Sequence, residues 1–188
     1  FGNYLYQSTD LGRTWVSLVA DLPARRVLRT IREDLRNPNV LFLGAELGLF
    51  YSNNGAGRWV ELKGNMPTLA FNDLVTHRRD NDLVLGTHGR GIWILDNINA
   101  LQELSPEVLA SDAHLFTIEP VEQIRYTEET AHTGDMIFRG ENPPGGAIID
   151  YFLKTGAGGA PAVTIHDAAG REIARVGATA RAGINRVI

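Results

Sequence analysis

The chain has 188 residues, no cysteine, and 18 basic against 22 acidic side chains for a net charge of -4. A mildly acidic surface argues against a general nucleic-acid or polyanion partner, and sixteen of the 18 basic residues are Arg. The absence of Cys excludes a disulfide framework, a thiolate metal site and a cysteine nucleophile, and no run approaches the roughly 18 apolar residues of a membrane span.

In chain order, short apolar or alternating runs are separated by turn residues. Leu5-Tyr6 and Val16-Ser17-Leu18 flank the octapeptide Ser8-Thr9-Asp10-Leu11-Gly12-Arg13-Thr14-Trp15. Forty-four residues later, Ser52-Asn53-Asn54-Gly55-Ala56-Gly57-Arg58-Trp59 repeats it loosely, between Leu49-Phe50 and Val60-Glu61-Leu62. Strands are predicted over Val27–Ile31, Val40–Leu43, Gly48–Tyr51 and Trp59–Leu62, with turns at Asn37-Pro38-Asn39, Glu46-Leu47 and Asn53-Asn54-Gly55. Read as antiparallel strands A to D, they make one four-strand unit from about Arg25 to Leu62. The residues before it supply strands C and D of an earlier unit. Phe71–His77, Asp82–Gly86 and Ile92–Leu95 supply A, B and C of a later one. A period of about 40–50 residues built of short strands is the pattern of propeller blades. So few blades leave sheet edges open, which predicts further blades upstream in the same chain and a last D strand drawn from its N-terminus.

Residues 99–141 read as a connector. Leu101, Leu104 and Val108 give a short helical spacing interrupted by Pro106, and Leu115–Glu129 is mixed and polar. Asn142-Pro143-Pro144-Gly145-Gly146 marks a boundary. Ala147–Lys154 is a predicted strand with Ile149, Tyr151 and Leu153 on one face. Ala162–His166 and Arg171–Val176 flank Asp167-Ala168-Ala169-Gly170, a hairpin of the type I turn plus Gly kind. Residues 182–188 lead into a further strand. The expected fold class is all-β: propeller blades over 1–98 and a partial immunoglobulin-like β-sandwich over 142–188.

The octapeptide matches Ser-x-Asp-x-Gly-x-x-Trp at every fixed position of its first copy, and its second copy departs with Asn54 and Ala56. It resembles the Asp-box, or bacterial neuraminidase repeat, and is most similar to the sortilin-like bacterial proteins of the glycosyl hydrolase group. Thr87-His88-Gly89-Arg90-Gly91-Ile92-Trp93-Ile94-Leu95-Asp96 resembles the closing blade of that group. The resemblance covers roughly residues 1–98. It implies a secreted or periplasmic bacterial protein, either a recognition scaffold for a protein or glycan ligand or a glycoside hydrolase of xyloglucanase or sialidase type.

The box residues Ser8, Asp10, Gly12 and Trp15, with Ser52, Asn54 and Trp59, read as structural, since a residue repeated in each blade serves the blade. Asp10 accepts turn N–H groups, Gly12 permits positive φ, and Trp15 covers the seam between blades. Antiparallel strands place the boxes at one end with Arg78-Arg79-Asp80-Asn81, and the turns carrying Glu46, His88 and Arg90 at the other. In proteins of this resemblance the ligand sits at the axis on that second end. Glu46, His88 and Arg90, with Asp73 on an inner strand, are the ligand-binding candidates. No cofactor is expected. The five His residues lack metal-ligand spacing, there is no Gly-x-Ser-x-Gly elbow, and Tyr126 with Glu128 and Glu129 forms no sialidase-type set.

Overall fold

The computed structural model describes residues 2–122, 140, 142, 145–156, 158–159 and 161–188. The described chain is all-β in character, with antiparallel sheets, none of them closed. It divides into two units, Phe1–Ser105 and Pro106–Ile188.

In the first unit, β1 (Tyr6–Gln7) and β2 (Val16–Ser17) form a hairpin. The strands β3 (Leu28–Glu33), β4 (Leu41–Ala45), β5 (Gly48–Ser52) and β6 (Val60–Leu62) follow as one four-stranded antiparallel sheet in sequence order. A three-stranded sheet comes next, built from β7 (Phe71–His77), β8 (Asp82–Thr87) and β9 (Ile92–Leu95). The two sheets repeat in detail. Ile31 pairs with Leu43 and Leu43 with Phe50 in the first, as Leu74 pairs with Leu85 and Leu85 with Trp93 in the second. Each leading strand has a bulge near its start, between Leu28 and Thr30 and between Phe71 and Asp73, so the irregularity recurs with the repeat.

The central strands β4 and β5 of the middle sheet are buried on both faces, which explains their near-continuous apolar runs. Alternation sends Leu41, Leu43, Ala45 and Phe50 to one side with Leu22 and Trp59, where Leu5, Leu18 and Val19 from the hairpin region pack. Val40, Phe42, Leu49 and Tyr51 go to the other side, against Leu69, Phe71, Leu74, Leu83 and Leu85 of the next sheet. At Gly44 the two sheets approach closely. A Cβ there would lie 2.7 Å from the Phe71 carbonyl oxygen and 2.8 Å from Thr30 Cγ2, so the contact requires glycine.

Of residues 99–141, read from the sequence as a connector, the described residues 99–122 contribute to both units. The helix α1 (Asn99–Glu103) belongs to the first. The helix α2 (Pro106–Ala110) and the strand β10 (Ala113–Leu115) belong to the second, where β10 pairs with β11 (Ile149–Leu153). Pro106 opens α2 rather than merely ending α1, as suits a residue with no N–H to donate in a first turn. The strands β12 (Ala162–His166) and β13 (Glu172–Gly177) form a separate hairpin, and β14 (Gly183–Val187) pairs with the other edge of β11. In the β12–β13 turn, Gly170 has φ 79° and donates its N–H to the Asp167 carbonyl at 2.9 Å. Across β11 and β14, Arg186 grips the buried Asp150 carboxylate through two hydrogen bonds of 2.8 Å. Tyr126, Glu128, Glu129 and His132 lie outside the described residues.

Candidate functional site

The two octapeptides build the same turn through the same serine and backbone bonds. In the first, Ser8 Oγ donates to Asp10 Oδ1 at 2.9 Å and accepts the Gly12 N–H at 2.7 Å. The Asp10 carboxylate accepts the Thr14 N–H at 2.8 Å and the Thr14 hydroxyl at 2.7 Å. These donors, the Thr14 N–H foremost, hold the Asp10 carboxyl at about 2, below its ordinary value of 3.8. In the second, Ser52 Oγ donates to Asn54 Oδ1 at 2.9 Å and accepts the Ala56 N–H at 3.0 Å, while Asn54 Oδ1 accepts the Arg58 N–H at 2.9 Å. An amide oxygen therefore replaces the carboxylate as turn acceptor. Ala56 occupies the glycine position with φ 68°, a strained choice for a residue with a Cβ.

The two tryptophans differ. Trp59 is buried; its Nε1 donates to the Leu18 carbonyl at 2.9 Å and its N–H to Asp21 Oδ1 at 2.8 Å, tying the middle sheet to the preceding hairpin. Trp15, expected to cover a seam, is exposed, and its indole N–H donates back to the Gly12 carbonyl at 3.1 Å. The reason is positional. Among the described residues no sheet lies on that side of β1–β2.

At the opposite end of the strands, Glu46 and Leu47 turn β4 into β5, and His88 to Gly91 turn β8 into β9. Glu46 is exposed, its N–H donates to the Val27 carbonyl at 2.9 Å, and its carboxylate lies 3.6 Å from the Arg29 guanidinium. Asp73 sits at the bulge of β7. Its Oδ1 accepts the Leu74 N–H at 2.9 Å and an Arg32 guanidinium N–H at 2.7 Å, which joins the two sheets at their leading strands. The His88 N–H donates to the Ala70 carbonyl at 2.9 Å, and Arg90 accepts the Trp93 indole N–H on its carbonyl at 3.2 Å. Gly89 and Gly91 both take positive φ, giving a tight turn from which the His88 and Arg90 side chains project into solvent. Among the described residues, no hydrogen bond or ion pair joins Glu46, Asp73, His88 and Arg90 to one another. What the structure adds is Arg29 and Arg32 on β3, each holding one of the acidic candidates. This end carries exposed side chains of both charge signs, Arg29 with Glu46 and Arg32 with Asp73, beside His88 and Arg90.

The end carrying the boxes holds a feature the sequence did not announce. Asp34, Asn81, Asn99 and Gln102 are buried together. Gln102 Nε2 donates to Asp34 Oδ1 at 2.7 Å and to Asn81 Oδ1 at 3.0 Å, while Asn81 Nδ2 donates to Asn99 Oδ1 at 2.7 Å and to Gln102 Oε1 at 2.8 Å. Asp34 Oδ2 also accepts the N–H groups of Arg36 and Asn37. The knot ties the β3–β4 turn, the β7–β8 turn and α1 together. A second tie runs alongside, from Asn53 Nδ2 to the Leu104 carbonyl at 2.7 Å and from the Tyr51 hydroxyl to the Leu101 carbonyl. Burial of Tyr51, with the charge of Asp34 as a lesser cause, raises its phenol well above the ordinary range. The only sequence signal for this knot was Asn residues just beyond strand ends, at 81, 97 and 99, of which Asn81 and Asn97 take φ of 55° and 49°.

A small open cleft of about 220 Å³ lies beside the knot, lined by Leu35, Arg36, Thr76, Arg78 and Asn81. No group of three or more His, Cys, Asp or Glu among the described residues is placed to hold a metal ion. No described helix is long and apolar enough to cross a membrane. In comparisons with known proteins, no family model, curated protein or solved structure matches this chain.

Proposed function

We propose that the first unit consists of blades of an Asp-box β-propeller, that the second is part of an immunoglobulin-like sandwich, and that the protein is a secreted or periplasmic recognition scaffold. Its ligand, a glycan or a protein segment, meets the end of the strands that carries Glu46, His88 and Arg90, with Asp73 beside them. The observation that carries this reading is the repetition of the Ser8–Asp10 turn, with its serine and backbone bonds, by Ser52 and Asn54. An acceptor that works equally as a carboxylate or an amide oxygen is a turn-holder rather than a proton donor, which directs the search for function to the opposite end. There, exposed side chains on loops anchored by two sheets suit recognition.

Glycan and peptide arrays probed with the chain test the reading. Binding that is lost on Glu46→Gln together with Arg90→Ala, at unchanged melting temperature, supports it. Release of reducing sugar from a polysaccharide panel by the chain would replace it with a glycoside hydrolase.

A further inference from the structure

The cleft beside the buried knot differs from the rest of the box end in what lines it. Its walls are Leu35 and Arg36 from the β3–β4 turn, and Thr76, Arg78 and Asn81 from β7 and the turn that follows. Thr76 stands two residues from Leu74 on β7, and Leu74 shares a buried cluster with Val40 and Phe42 of the middle sheet. Alternation therefore turns Thr76 into the seam between the two sheets, away from the exposed face that carries Val75. A sheet added on either side would stack beyond these walls.

Two arginines and no acid line this space, in a chain whose net charge is -4. Arg36 Nη1 donates to Asn99 Oδ1 at 3.0 Å, which fixes its planar fork at the edge of the knot. Arg78 makes no hydrogen bond or ion pair among the described residues. The acids adjoining the lining residues in sequence are engaged elsewhere. Asp34 is held inside the knot, Asp80 by His77 Nδ1 at 2.9 Å and by Arg79, and Asp82 by the Asn97 N–H at 2.9 Å. Thr76 Oγ1 is buried and has no hydrogen-bond partner among the described residues. Buried hydroxyls in native folds are nearly always paired, because an unmade bond costs stability, so this one calls for a partner. One step about χ1 carries the hydroxyl to the place of the Thr76 methyl group.

We infer that the cleft is an oxyanion site that takes a phosphate or sulfate group, free or as the head of a monoester. Arg36 and Arg78 hold the group from two different turns, and Thr76 adds a third donor. At about 220 Å³ the space falls below the roughly 300–1,000 Å³ of pockets for drug-sized ligands and suits one such group. An anion there ties the β3–β4 turn to the β7–β8 turn across the seam, so its binding stabilises the first unit. The inference rests neither on the propeller reading nor on the ligand end, which lies at the other ends of the strands.

Amide NMR of the isotope-labelled 188-residue chain tests it, by titration with inorganic phosphate, inorganic sulfate and their phenyl monoesters at an ionic strength held constant with chloride. Signals of residues 35–37 and 76–81 should shift together and saturate. Arg78→Ala should weaken binding by more than about tenfold, whereas Arg13→Ala, on the exposed first box, should leave it unchanged. Thr76→Val should weaken binding by about threefold or more and yet melt no lower than wild type in chloride, because it removes an unpaired hydroxyl. The spectra of the variants report that they are folded. Tighter binding of a monoester than of the free ion assigns the site to the head group of a larger ligand, and equal or weaker binding assigns it to the free ion. Shifts that stay linear with concentration, or an Arg78→Ala chain that binds as wild type does, overturn the inference. Either result leaves array binding at the ligand end to be judged on its own.

Discussion

Replacing Asp34 by Ala removes the acceptor at the centre of the buried knot. Asp34 accepts three hydrogen bonds, at 2.8 Å from the Arg36 N–H, 2.9 Å from the Asn37 N–H and 2.7 Å from Gln102 Nε2. A hydrogen bond to a charged group contributes about 1.5–3 kcal/mol, and a buried donor left without a partner loses more than the bond itself. Two offsets apply: Gln102 keeps its bond to Asn81 Oδ1, and the two backbone donors lie in a turn that water reaches. The net loss should be about 2–4 kcal/mol, a large part of the roughly 5–15 kcal/mol that holds a domain folded. The assay is urea unfolding followed by tryptophan fluorescence. Trp15, Trp59 and Trp93 are the chain's three tryptophans and all lie in the first unit, so the signal reports that unit alone. With a slope of about 1–2 kcal/mol per molar urea, the midpoint should fall by roughly 2 M. Asp73→Ala, which removes an exposed pair with Arg32, should change stability by less than about 1 kcal/mol. If Asp34→Ala moved the midpoint by less than about 0.5 M, or no more than Asp73→Ala, the knot would not be what joins the two turns to α1.

Three further outcomes follow from the geometry. Asp10 is depressed to about 2 in the folded chain, so the stability its bonds contribute is complete above its ordinary value near 4 and is lost as pH falls through about 2. An NMR titration of the Asp10 carboxyl should find its midpoint near 2, Asp10→Asn should keep most of the turn as Asn54 does, and a midpoint near 4 would contradict the turn geometry. Trp59→Ala should destabilise the first unit by about 3–5 kcal/mol and Trp15→Ala by less than about 1 kcal/mol, and equal losses in thermal melts would show that the two boxes are packed alike. Gly44→Ala forces a methyl group against the Phe71 carbonyl and should cost about 1–3 kcal/mol, and an unchanged melting temperature would mean that β4 and β7 do not meet there.

Much of the strand order was legible because each strand is a short apolar run closed by Gly, Asn or Asp. Phe71–His77 and Ile92–Leu95 have the bounds that alternation and turn residues predict, and the other strands of the first unit shift by one or two residues. Three things were not legible, each for a physical reason. The knot depends on pairs 18 to 68 residues apart in sequence, and no local periodicity encodes a bond from Gln102 to Asp34. The pairing of β10 with β11 joins residues near 114 to residues near 152, so a connector in sequence becomes an edge strand in space. The partners of the ligand-end candidates were equally silent. Glu46 and Asp73 stood out as acids on a turn and an inner strand, but Arg29 and Arg32 meet them only once β3 lies beside β4 and β7. The exposure of Trp15 has the same origin, since a box motif specifies its turn and leaves the neighbouring sheet unspecified.

The proposed function divides the labour, with the box ends of the strands holding the fold and the opposite ends meeting the ligand. Its most direct test is a paired comparison on whichever array ligand the chain retains. Asp10→Ala should lower the melting temperature and leave the dissociation constant unchanged. Glu46→Gln with Arg90→Ala should leave the melting temperature unchanged and abolish binding. The reverse pattern, with binding lost at Asp10 and kept in the double variant, would contradict the account.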